Sequence, residues 1–187
     1  LTWPVYLLVM AFAPVLLGVF GPAVLAAQGA LIALSLGLMA FSLFGPAGSV
    51  ILMSGKSSQA MGNAAIAVAF NVVGNLALVP WMGITGAGIV WALTLVLLVG
   101  LPAWQAHEHM KLDMISLPAL HTAGVATATV GVIGVVSRLV FGATWSGLIL
   151  ATVVGAPAYG VGMWRYRTQT GIDELITDPA QLRPDRL

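Results

Sequence analysis

The sequence predicts an all-α membrane protein, a polytopic bundle of about six transmembrane helices. Three observations carry that prediction. Of the 187 residues, 59% are hydrophobic and only 7% are charged, against about 25% charged in a soluble domain. The mean hydropathy is +1.01. Several apolar runs reach about 20 residues, enough to cross a hydrocarbon core about 30 Å thick. The runs show no polar alternation, and backbone in lipid must satisfy its own polar groups, so helices are expected rather than a barrel.

The spans are expected at residues 3–20, 25–53, 60–80, 85–105, 118–140 and 146–166. Residues 1–167 then form one transmembrane domain, and 168–187 a polar cytoplasmic tail. Gly21-Pro22 ends the first span, because proline removes a donor and disfavours helix before it. The second span is long for one perpendicular crossing; tilt or a kink near Gly45-Pro46 absorbs the excess. Ser54-Gly55-Lys56-Ser57-Ser58 is a polar turn, and Pro80 to Gly83 is a second break. Gln105 to Ser116 reads as the one substantial polar loop, and Gly142 to Ser146 as the last tight turn. Pro14, Pro46 and Pro157 lie within apolar runs, where proline kinks a helix and frees a carbonyl. The six Trp, mostly near span ends, read as interfacial anchors.

Orientation follows from Lys and Arg. Six spans put Lys56, Lys111, Arg165, Arg167, Arg183 and Arg186 on one side and only Arg138 on the other. The C-terminus is therefore expected in the cytoplasm, with the protein in the cytoplasmic membrane. A net charge of +1 gives no electrostatic case for nucleic acid. There is no cysteine, which excludes disulfides and thiolate chemistry. The chain opens on Leu1 inside an apolar run, as expected of the C-terminal part of a longer polypeptide.

The third span carries the most informative pattern. At 100° per residue, Asn63, Ala67, Asn71 and Gly74 fall within about 80° of one another, and Asn75 widens the arc to about 120°. A small, polar face is costly against lipid, so it should meet other helices or a wet cavity. Two readings stay open. The amides bond across a helix interface, or Asn63, Asn71 and Asn75 line a translocation path. Beyond Pro80-Trp81-Met82-Gly83, the near-bare start Gly86-Ala87-Gly88 implies close helix contact in an antiparallel hairpin.

The order Gly55-Lys56, Asn63, Asn71, Asn75, Pro80, Gly83, Gly86, Ala87 resembles the C-terminal region of polysaccharide biosynthesis proteins, the flippases of lipid-linked oligosaccharides. They share a superfamily with the multidrug and toxin extrusion transporters and the lipid II flippases. Gly88 stands where a second Ala is usual. The segment "LTWPVYLLVMAFAPVLLGVFG" is also similar, and the match covers residues 1 to 105. The resemblance implies a two-lobed fold of about 12 to 14 helices working by alternating access. This chain would form most of the second lobe, and the missing N-terminal lobe would be its partner. The implied substrate is an undecaprenyl-diphosphate-linked oligosaccharide moved between leaflets, with membrane lipids as surroundings and no cofactor. A cation-coupled small-molecule or drug antiporter of the same superfamily, or a membrane enzyme of polysaccharide assembly, is the alternative.

The remaining features read more plainly. Arg138, near the end of the fifth span, either snorkels to the headgroups or binds a diphosphate or phospholipid headgroup. His107-Glu108-His109 lacks further metal ligands and reads as solvated loop. Ser54-Gly55-Lys56-Ser57-Ser58 is no P-loop, since position 50 is Val50 rather than Gly. Gln28 and the hydroxyls at Ser35, Ser42, Thr94, Thr127 and Thr129 are expected to bond between helices. All six carboxylates, Glu108, Asp113, Asp173, Glu174, Asp178 and Asp185, fall in the loop or tail. No buried acid pair is available, so no catalytic site is expected, and any ion coupling depends on residues elsewhere.

Overall fold

The computed structural model describes residues 2–44, 47–110 and 117–165. Among them every regular element is helical. Four helices are long and apolar enough to cross a membrane: Pro22–Leu43, Ser57–Glu108, Ala119–Phe141 and Trp145–Arg165. The kink foreseen at Gly45-Pro46, Lys111 and the tail from residue 166 onward lie outside the described residues.

The chain begins with two short helices, α1 (Trp3–Ala11) and α2 (Ala13–Gly18), where one span over 3–20 was expected. Pro14 is the cause. It has no N–H to continue the ladder, and Phe12 leaves helical geometry at φ −112°, ψ 22°. The expected second span is also divided: a 3₁₀ turn over Pro22–Ala27, then α3 (Gln28–Leu43), then α4 (Ala47–Met53).

The helix α5 (Ser57–Met110) is two helices joined at Gly83, where φ 57° and ψ −137° break the geometry. That backbone mirrors the extended region, and only glycine reaches it without a Cβ penalty. Helix continues through Pro80, so the reversal is confined to Gly83 rather than spread over 80–83. It also continues through Gln105 to Met110, which corrects the expectation that a polar loop begins at Gln105. Beyond residue 116 come α6 (Leu117–Ala126), a π-helical turn over Thr127–Gly131, α7 (Val132–Phe141) and α8 (Trp145–Arg165).

Packing divides around α1. On one side α3 lies along α5, so closely that bulk is excluded. A Cβ on Gly88 would sit 2.5 Å from the Ala30 Cα, and one on Gly37 would sit 2.7 Å from the Ala92 Cα. Small residues let helices in lipid gain dispersion contacts where no hydrophobic effect drives them together. On the other side α1 touches the π turn, α7 and α8. Phe12, Val15 and Ala151 form one buried cluster, and Ala126, Val130 and Tyr159 another. Trp3 Nε1 donates to Ser42 Oγ at 2.7 Å, tying α1 to α3.

Candidate functional site

The small, polar face of residues 63–75 becomes the seam between the two arms of α5. Gly83 fixes the register. Asn71 Nδ2 donates to Thr94 Oγ1 at 3.1 Å, and a Cβ on Gly74 would meet Val90 Cγ1 at 2.8 Å. A Cβ on Gly86 would meet the Leu78 carbonyl oxygen at 2.7 Å. Each pair straddles Gly83 at distances along the chain that agree to within two residues, as an antiparallel hairpin requires. The apolar residues of the first arm face outward: Val68, Val72, Val73 and Leu76 are all exposed. Exposed apolar side chains on that scale suit lipid or another apolar surface.

The three asparagines have different surroundings. Asn63 is 4% exposed and locked. Its Nδ2 donates to Gln105 Oε1 at 2.8 Å, and Gln105 Nε2 donates to Asn63 Oδ1 at 2.9 Å. A reciprocal amide pair satisfies both groups, the buried Asn63 and the half-buried Gln105. Asn71 is half-buried and bridged on both atoms, donating to Thr94 and accepting from Asn75 Nδ2 at 3.1 Å. Asn75 Nδ2 also donates to the Asn71 carbonyl at 2.8 Å. Asn75 Oδ1 has no hydrogen-bond partner among the described residues.

Asn75 borders a cavity of about 520 Å³ between α2, α3 and the second arm of α5. Leu17, Leu34, Ile84 and Trp91 form much of its wall, and Asn75 is the one amide among the lining residues. An apolar recess with one convergent polar group is the usual form of a small-molecule site. Asn63 borders a second cavity of about 350 Å³ with Phe41, Ser49 and Pro102. Its amide is already committed to Gln105 there.

Gln105 is the member of this seam that the sequence reading missed. The available signal was arithmetic: folding about Gly83 sets position 63 opposite the region of 103–105. The reading also placed hydroxyls too freely between helices. Ser35, Thr127 and Thr129 donate to carbonyls of their own helices, at Leu31, Ala123 and Val125. A short hydroxyl reaches its own preceding turn without any partner helix. Of these hydroxyls, Ser42 and Thr94 also accept a bond from another arm or helix among the described residues.

Arg138 stands apart from the three asparagines, on the far side of α1. Its Nη1 donates to the Ala11 carbonyl at 2.7 Å. Local sequence explains why that carbonyl is free. Pro14 has no N–H, and the Val15 N–H donates to Phe12 O at 3.0 Å instead. Arg138 therefore caps the α1–α2 break, a role the sequence did not suggest. His121 is exposed, and no group of three or more His, Cys, Asp or Glu converges among the described residues.

Comparison with protein families, with curated proteins and with solved structures finds no match.

Proposed function

We propose that this chain is the C-terminal lobe of a membrane transporter that flips an undecaprenyl-diphosphate-linked oligosaccharide across the cytoplasmic membrane. In this reading the chain crosses the membrane about six times. The two arms of α5 count separately, α1 with α2 forms a broken first crossing, and the C-terminus lies in the cytoplasm. The N-terminal lobe of the same polypeptide completes the substrate cavity and supplies its cationic groups. The work is physical rather than catalytic. A polar headgroup is sheltered from hydrocarbon while its lipid tail stays in lipid, as the lobes rock about a fixed site.

The observation that supports the reading most is the α5 hairpin. Of the residues that carry the resemblance, Asn63, Asn71, Asn75, Pro80, Gly83, Gly86 and Ala87 lie on it and Gly55-Lys56 just precedes it, and Asn75, whose Oδ1 has no hydrogen-bond partner among the described residues, borders an open cavity. Within this lobe the transport path narrows to Asn75, because Asn63 and Asn71 spend their amides on Gln105 and Thr94. The test reconstitutes the full polypeptide in liposomes with labelled lipid-linked oligosaccharide and follows label crossing the bilayer. Movement above protein-free liposomes is expected. Asn75→Leu should slow it about tenfold, the loss of one hydrogen bond of about 1.4 kcal/mol. No movement by the wild-type protein would overturn the proposal.

A further inference from the structure

Beside α1 runs a third cavity, a groove of about 530 Å³, away from the asparagine seam. Leu7, Met10, Val132, Val135 and Val136 make it apolar, and its one polar residue, Thr127, spends its hydroxyl on the Ala123 carbonyl at 2.9 Å. The π turn Thr127–Gly131 contributes to its wall. Such turns are rare and often accompany functional sites. Ala11 belongs to the same wall, and its carbonyl holds Arg138 Nη1 at 2.7 Å. Arg138 is not itself a lining residue, but its guanidinium lies one hydrogen bond from Ala11, which is.

That guanidinium is only partly used. The bond to Ala11 occupies one N–H, and the described residues provide no other acceptor. Glu108 is the only carboxylate among the described residues, and it makes no ion pair with Arg138 there. A half-buried cation with unspent donors, in a helix apolar enough to cross a membrane, is costly until an anion meets it. An apolar channel with one cation at its edge complements one chemistry: an acyl chain attached to a phosphate.

We infer that this groove binds an anionic phospholipid of the surrounding bilayer, its acyl chain along α1 and α7 and its phosphate on Arg138. A single guanidinium matches the single negative charge of a phosphodiester; a diphosphate would retain uncompensated charge in a low-dielectric setting. The site requires only that α7 lies in a membrane. It does not depend on transport, so the two proposals fail separately.

The test is native mass spectrometry of the full polypeptide in detergent, titrated with phosphatidylglycerol and, separately, with phosphatidylethanolamine. Both lipids carry the phosphodiester, but the ethanolamine ammonium cancels its charge and opposes the guanidinium, so wild-type protein should hold phosphatidylglycerol at least about tenfold more tightly. Arg138→Gln should abolish that preference and Arg138→Lys should keep part of it. Val135→Trp fills the groove but leaves Arg138 on the Ala11 carbonyl, so it decides the matter if Arg138→Gln does not fold; it should weaken phosphatidylglycerol binding. Equal binding of the two lipids by wild type, phosphatidylglycerol binding undiminished by Val135→Trp, or tighter binding of undecaprenyl diphosphate would overturn the inference.

Discussion

Truncating one member of the Asn63–Gln105 pair should cost almost as much as truncating both. The two amides form a closed pair, with bonds of 2.8 and 2.9 Å, and Asn63 is 4% exposed. Asn63→Ala removes both bonds and leaves the half-buried Gln105 amide unpaired, at about 1–3 kcal/mol. Gln105→Ala strands Asn63 in the same way. The double variant leaves neither amide exposed to that penalty. Its cost should therefore fall well below the sum, with a coupling energy of about 1–2 kcal/mol for two bonds. Bicelle-based steric trapping or denaturant unfolding of the four proteins completes the cycle. Additive costs, with coupling under about 0.3 kcal/mol, would refute the reasoning, because the two side chains would then not be partners.

Two further outcomes follow from the geometry. Gly88→Val should destabilise by at least about 1–3 kcal/mol, because its Cβ meets Ala30 backbone rather than a movable side chain; Gly100→Ala, with nothing within 4 Å, should be neutral or stabilise by about 0.5–1 kcal/mol. Thermal unfolding in one detergent compares them. Arg138→Gln should cost about 1.5–3 kcal/mol by uncapping the Ala11 carbonyl, but much less in a Pro14→Ala background, where a restored N–H lets the helix continue; equal costs in both backgrounds would detach Arg138 from the Pro14 break.

Much of the fold was legible because helix breakers act locally. Gly83 and the Gly142 turn need no partner to be recognised, and the clustering of Asn63, Asn71 and Gly74 on one face follows from helical period alone. What stayed hidden depended on distance. Pro14 was visible as a kink, but not that it would split the first span into helices of 9 and 6 residues. Gln105 looked like loop because its partner lies 42 residues away. The acceptor of Arg138 lies 127 residues away and is a backbone atom, which no pattern of residue types reveals. The hydroxyls of Ser35, Thr127 and Thr129 were ambiguous for the opposite reason, since a bond to the preceding turn and one across an interface call for the same residue.

The central claim is that residues 57–110 enter the membrane and return, reversing at Gly83. The chain contains no cysteine, so single cysteines report without background. Ser58→Cys and Trp81→Cys both occupy exposed positions, Trp81 being 90% exposed. Labelling each in sealed vesicles with a membrane-impermeant maleimide is the direct measurement. The account predicts opposite sides, with position 58 on the cytoplasmic face and position 81 on the outer face. Labelling of both positions from the same side would contradict it.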